Sequence, residues 1–164
     1  MSTIEVQLRR FSLVSARPFQ EVVNRVTADI GRPDLNAFHN ELAATKTAEE
    51  LEPLVQAAAG PSGLMEYIRF DAGDVLRQER GGQAPRILRL VVGNRLTLKE
   101  MLRTVPDVAS YAPLTILVDE RADGVHLSYD SMASLIAPYG SEAALQVAKG
   151  LDAKVEALLA AAAN

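Results

Sequence analysis

The sequence has no cysteine, no tryptophan and only two histidines, His39 and His126. Without cysteine there is no disulfide framework, no thiolate zinc or iron–sulfur site and no cysteine nucleophile. The two histidines lie far apart, and neither has a second histidine or a carboxylate at ligand spacing, so no metal site is expected. The glycine-rich nucleotide loops, the G-x-S-x-G elbow and the H-E-x-x-H helix are all missing, and no cofactor is expected. The N-terminal segment has no charged region followed by an apolar one, so no signal peptide is visible. The alanine- and leucine-rich C-terminal stretch is broken by Asp152, Lys154 and Glu156, which excludes a membrane span. A cytoplasmic protein is the expectation.

What remains is 164 residues, 48% of them hydrophobic and 23% charged. That is the size and composition of one domain with a real core, here 1–164. The net charge of −4 gives no general attraction to nucleic acid or an anionic membrane, and neither is expected as a partner. Basic residues concentrate in the middle as Arg69, Arg77, Arg80, Arg86, Arg89, Arg95 and Arg103. Guanidinium groups grip phosphate or carboxylate, but no aromatic residues interleave for base stacking, so pairing with the acidic termini is the preferred reading.

Alternation over residues 3–14, with Ile4, Val6 and Leu8 on one face, predicts a strand. Ser15 is then expected to cap a helix with the apolar stripe Phe19, Val22, Val23, Val26 and Ile30, stopped by Gly31 and Pro33. Residues 33–45 show no clear period. Thr47-Ala48-Glu49-Glu50 forms a capping box for a helix that ends at Gly60-Pro61-Ser62-Gly63. Strand patterns follow at 64–71 and 87–92. In the first, Leu64, Glu66, Ile68 and Phe70 are placed on one side and Met65, Tyr67 and Arg69 on the other.

Thr97-Leu98-Lys99-Glu100 suggests a second capping box opening a helix that Pro106 stops. Strands at 114–119 and 125–129 flank the five-residue loop Glu120–Gly124 with the Asp123-Gly124 turn signal, a hairpin. Asp130 is expected to cap a short helix, and a long helix from Ser141 or Glu142 to about Ala161 is expected to bury the stripe Leu145, Ala148, Leu151, Val155 and Leu158. Helices in runs and strands joined by a hairpin predict an α+β two-layer sandwich, with a mainly antiparallel sheet of four to five strands and helices on one face. Met65 and Tyr67 on the uncovered face point to a homodimer.

Two local constellations carry candidate function. Val92-Gly93-Asn94-Arg95-Leu96-Thr97 joins a buried strand to a capped helix, where free backbone N–H groups and the Arg95 charge suit a carboxylate or phosphate, with a pocket near the Gly93–Thr97 turn; a plain strand-to-helix turn is the commoner use of such a segment. His126-Leu127-Ser128-Tyr129-Asp130 offers an imidazole for proton transfer, although His126 and Tyr129 project from opposite faces of a strand. A half-buried histidine and a capping aspartate are the preferred reading there. The ligand-binding candidates are therefore Gly93, Asn94, Arg95, His126, Tyr129 and Asp130.

Gly93-Asn94, Ser110-Tyr111-Ala112-Pro113 with the aliphatic run through Asp119, Asp123-Gly124-Val125 and Ser128-Tyr129-Asp130 together resemble the bacterial and archaeal domain of unknown function 302 family. Its members share a strand ending in Gly-Asn-Pro, an aliphatic strand preceded by proline, a glycine hairpin and a Tyr-Asp or Asn-Asp before a short helix. The resemblance runs from about residue 3 to 160. Here the Gly-Asn-Pro is Gly93-Asn94-Arg95, and residues 36–85 look longer than in compact members. It implies a compact α+β fold that tends to form homodimers, and no established activity. Three readings follow: a homodimeric module binding a small, anionic or partly apolar ligand or a protein partner; an enzyme for a small anionic substrate with Arg95 as clamp and His126 as acid or base; and a structural role set by the dimer face.

Overall fold

The computed structural model describes residues 3–82 and 84–164; the first two residues of the N-terminal segment read for a signal lie outside them. The elements are β1 (Arg10–Ser15), α1 (Phe19–Ala28), β2 (Ile30–Gly31), α2 (Leu35–Ala44), α3 (Ala48–Ala58), β3 (Leu64–Asp71), α4 (Asp74–Arg80), β4 (Ile87–Gly93), α5 (Arg95–Leu102), β5 (Leu114–Arg121), β6 (Gly124–Asp130), α6 (Met132–Ile136) and α7 (Glu142–Ala163). The fold is α+β. Five strands pair antiparallel in the order β1-β6-β5-β4-β3, and the two-residue β2 adds a parallel edge to β3.

The Asp-Gly signal makes the expected hairpin, tighter than the five-residue loop read from sequence. Arg121 pairs with Gly124, so only Ala122 and Asp123 turn the chain. Alternate residues of β4, β5 and β6 (Leu88, Leu90, Val92, Leu114, Ile116, Val118, Leu127) point to one face and are buried beneath α1, α5, α6 and α7. Each such buried aliphatic side chain stabilises the fold by roughly 1.5–3 kcal/mol relative to exposure. The stripe predicted for α1 is buried in full, from Phe19 through Val22, Val23 and Val26 to Ile30.

Several local expectations are corrected. The N-terminal alternation does not make a strand before Arg10, and Ile4 and Leu8 are exposed. The ladder stops where β6 stops, at the Arg10–Asp130 pair, with one further bond from Ser131 N–H to the Arg9 carbonyl. Ser15 does not cap α1, which begins after Pro18; its hydroxyl donates to the Ala163 carbonyl at 2.7 Å and ties β1 to the end of α7. Residues 35–44, where no period was seen, form α2, capped by Asp34. The Thr47 cap holds, accepting from Glu50 N–H, but the Glu50 carboxylate accepts from Lys46 N–H instead of Thr47. Residues 74–80 form α4, which carried no sequence signal.

The largest correction lies in β3. Glu66 pairs with Val92 and Ile68 with Val91, so Tyr67 is an extra residue in a β-bulge. A single inserted residue flips the side chains that follow to the other face. Ile68 and Phe70 therefore share a face with Met65, while Arg69 joins Glu66 and donates to it twice, at 3.0 and 2.8 Å. The face expected to be open at Met65 and Tyr67 is covered there. Met65 is buried with Phe38 and Val55 in a second, smaller core under α2 and α3, against which Tyr67 packs. The same face is open farther along, where Val14, Ile68 and Phe70 are each half or more exposed.

Candidate functional site

β4 runs apolar through Val92 and ends at Gly93, after which the chain enters α5. Asn94, not Thr97, caps this helix. Its Oδ1 accepts from the N–H groups of Leu96 (2.8 Å) and Thr97 (3.3 Å), and its Nδ2 donates to the Gly63 carbonyl (2.8 Å). Two of the backbone N–H groups expected to be free for an anion, those of Leu96 and Thr97, are thus already bonded. Thr97 and Glu100 lie inside the helix and make no capping box.

A cavity of about 250 Å³ opens at this end of the sheet, between the end of β4, the start of β5 and the helices above them. Gly93 helps to keep it open, because a Cβ there would press on Pro113 Cβ at 3.3 Å and approach the Tyr67 ring at 3.6 Å. Leu98, Met101, Leu114, Met132 and Leu151 supply apolar wall; Tyr67, Asn94, Arg95 and Thr97 supply the polar part. A mostly apolar concave site with a few convergent polar groups is the usual form of a small-molecule pocket.

Arg95 is the charged group of this wall. Among the described residues no carboxylate lies within ion-pair distance of it; Arg69, Arg77, Arg86 and Arg103 have such partners, while Arg89 donates to Thr115 and Arg80 is exposed on α4. Its Nε is buried without a hydrogen-bond partner. Tyr67, aimed here by the bulge, places its hydroxyl beside the guanidinium. Burial pushes the Tyr67 phenol above its ordinary pKa, and the adjacent Arg95 charge only partly opposes that. The hydroxyl is therefore protonated at neutral pH and available as a donor.

A buried carboxylate fixes the far wall. Asp152 of α7, 3% exposed, accepts from Tyr129 OH (2.7 Å), Ser131 Oγ (2.5 Å), Met132 N–H (2.8 Å) and Ala133 N–H (3.2 Å). These bonds close the first turn of α6, whose cap is Ser131 rather than the expected Asp130. They also anchor Met132 and Leu151, both cavity residues.

Of the sequence candidates, the structure brings Gly93, Asn94 and Arg95 together at the cavity and separates the other three from it. His126 projects from the open sheet face, 8% exposed, with its Nε2 2.8 Å from Asp123 Oδ1. Tyr129 projects into the core toward Asp152, on the opposite side of β6, as the alternation required. Asp130 pairs with Arg10 at 2.5 Å on the surface. The clamp of Arg95 with His126 as proton carrier is therefore not assembled. Sequence reasoning placed the pocket near the Gly93–Thr97 turn and missed Tyr67, Met132 and Asp152. For Asp152 a signal existed: an acidic residue sits four after Ala148 and three before Val155, on the buried stripe of α7.

The family model of DUF302, a domain of unknown function, matches residues 40–162. The chain belongs to the DUF302 family. Among solved structures, it is similar to an uncharacterized conserved DUF302 protein from Bacillus stearothermophilus, with a TM-score of 0.64 over 93% of this chain and 97% of that one, at 13% identity. At that identity the likeness is one of fold. No match is found among curated proteins.

Proposed function

We propose that this DUF302 protein is a homodimeric binding module that takes a small, partly apolar ligand in the cavity beside Gly93–Thr97. The observation that carries the proposal is a mostly apolar 250 Å³ cavity whose wall holds an arginine with no carboxylate partner among the described residues. Arg95 is half-buried in this wall, and a partly desolvated guanidinium normally finds an acceptor. The enzyme reading has less support, because His126 is not among the cavity residues and is engaged by Asp123.

The dimer is proposed across the open sheet face. Ile68 (56% exposed), Phe70 (52%) and Val14 (50%) lie there with both signs of charge, in Arg10 with Asp130 and Arg121 with Asp119. A two-fold interface is self-complementary, and a face that is apolar and carries both charges suits a second copy of itself. Among the described residues no helix is long and apolar enough to cross a membrane, and the sequence has no cysteine; both agree with a cytoplasmic setting.

Thermal denaturation in the presence of small apolar acids, alcohols and amines tests the binding proposal, with Leu98→Trp as the filled-cavity control. A ligand at about 100 times its Kd adds about 2.7 kcal/mol to stability by mass action. Stabilisation of the natural protein but not of the control supports the proposal. Equal stabilisation of both, or of neither, overturns it.

A further inference from the structure

We infer that the ligand of this cavity is a small monocarboxylate with an apolar body, held at its carboxylate by Arg95 together with the hydroxyls of Tyr67 and Thr97. The inference rests on the ligand-binding reading above and narrows it to a chemical class.

Three observations carry it. The first is charge. The cavity wall contains one cation and no acidic side chain, and Glu66, next to Tyr67 in sequence, is engaged by Arg69 at 2.8 Å and Arg32 at 3.7 Å. A guanidinium edge offers two parallel N–H donors that match the two oxygens of a carboxylate. Arg95 lines the cavity, and among the described residues no carboxylate pairs with it; its Nε is closed off from the open space and is not counted among the donors offered to the ligand.

The second observation separates carboxylate from phosphate. Phosphate sites at helix starts collect several backbone N–H groups. Here Asn94 has already taken those of Leu96 and Thr97. What remains is one guanidinium, the side-chain hydroxyls of Tyr67 and Thr97, and a single backbone N–H, that of Arg95. That set suits a group with a single negative charge and two oxygens, and is poor for a dianion with three.

The third is size and polarity. An apolar cavity of about 150 Å³ accommodates benzene. The 250 Å³ here, walled by Leu98, Met101, Leu114, Met132 and Leu151, suits a short alkyl chain or one ring together with the carboxylate, on the order of 8–12 heavy atoms.

Isothermal titration calorimetry at pH 7.5 with hexanoate, 1-hexanol, hexylamine and hexyl phosphate tests the inference, since the four probes share a tail and differ in head group. Hexanoate is expected to bind about tenfold or more tighter than each of the others. Arg95→Gln is expected to lower hexanoate affinity about tenfold while leaving 1-hexanol within about twofold. Tyr67→Phe serves as a second, gentler variant, with an expected loss of about threefold for hexanoate alone. Equal binding of hexanoate and 1-hexanol, or no selective effect of either variant, overturns the carboxylate inference and leaves a neutral-ligand pocket standing. Tighter binding of hexyl phosphate overturns it in favour of a phosphate site. Failure of all four probes to bind overturns both the inference and the binding proposal.

Discussion

The Tyr67 hydroxyl and the Arg95 guanidinium stand side by side in one cavity wall, although they belong to different elements, a sheet strand and the first residue of a helix. Two local features produce the meeting. A one-residue bulge in β3 turns Tyr67 out of the regular ladder, and the Asn94 cap starts α5 at Arg95 directly after β4. Bulges often re-aim a side chain beside a functional site, and this one does so while moving Ile68 and Phe70 to the open face.

The Asp152 carboxylate holds the opposite wall, and its loss is expected to be severe. Asp152→Ala removes the shared acceptor of four buried donors, those of Tyr129, Ser131, Met132 and Ala133, of which only Met132 N–H keeps a second partner, the Tyr129 hydroxyl oxygen. A loss of about 3 kcal/mol in urea unfolding is expected, with Asp152→Asn between it and the natural protein. A change below about 1 kcal/mol for the alanine variant would show that the network does not hold α6 to α7.

Stability is expected to fall in alkali, and Tyr129 is expected to account for part of the fall. Burial and the bond to Asp152 push its phenol far above the ordinary tyrosine range. The folded form therefore stays protonated where the unfolded form ionises. This contribution is complete below about pH 10, the unfolded pKa, and is lost as the pH rises above it. Tyr139, raised to about 12 by its bond to Tyr111, acts in the same direction. Urea unfolding from pH 9 to 11 should show a shallower decline for Tyr129→Phe than for the natural protein. Parallel curves would contradict this assignment.

Two glycine-to-alanine changes are expected to have opposite signs. A Cβ on Gly31 would fall on the Ala58 carbonyl oxygen and lie 2.6 Å from Gly60 N, both of them backbone atoms where β2 meets the end of α3. Gly31→Ala is expected to destabilise by about 2–4 kcal/mol. Gly150 lies within α7 with nothing near its Cβ position, and Gly150→Ala should stabilise by roughly 0.5–1 kcal/mol. Midpoints of chemical denaturation give both signs directly.

The open face predicts an oligomeric state. Light scattering behind size-exclusion chromatography should report a dimer for the natural chain and a monomer for Phe70→Glu, since the charge would be buried against its own copy. A natural chain that is monomeric at high micromolar concentration would remove the dimer proposal.

Much of the framework was legible in the sequence because local chemistry and tertiary packing agree there. The Asp123-Gly124 turn specified the β5–β6 hairpin, and the stripe of α7 specified its buried side. Disagreement arose where a distant partner decides. Ile4, Val6 and Leu8 alternate as a strand would, but β6 ends at Asp130 and leaves them nothing to pair with. Thr97 has the form of a cap, but Asn94, three residues earlier, accepts from the N–H groups of Leu96 and Thr97 and starts the helix there. The half of the site at Gly93–Arg95 was visible because a strand-to-helix turn is local. The half at Tyr67, Met132 and Asp152 was not. It depends on one inserted residue in β3 and on a carboxylate of α7 that meets α6 only in the folded chain.

The most direct measurement of the central claim is a methyl spectrum of ¹³C-labelled methionine during titration with hexanoate. The chain has four methionines. Met101 and Met132 line the cavity, and Met65 is buried in the separate core under α2 and α3. The expected result is saturable movement of the Met101 and Met132 signals with Met65 unmoved, abolished by Leu98→Trp. Titration that moves neither cavity methionine, or moves Met65 as much as both, would contradict a ligand site beside Arg95.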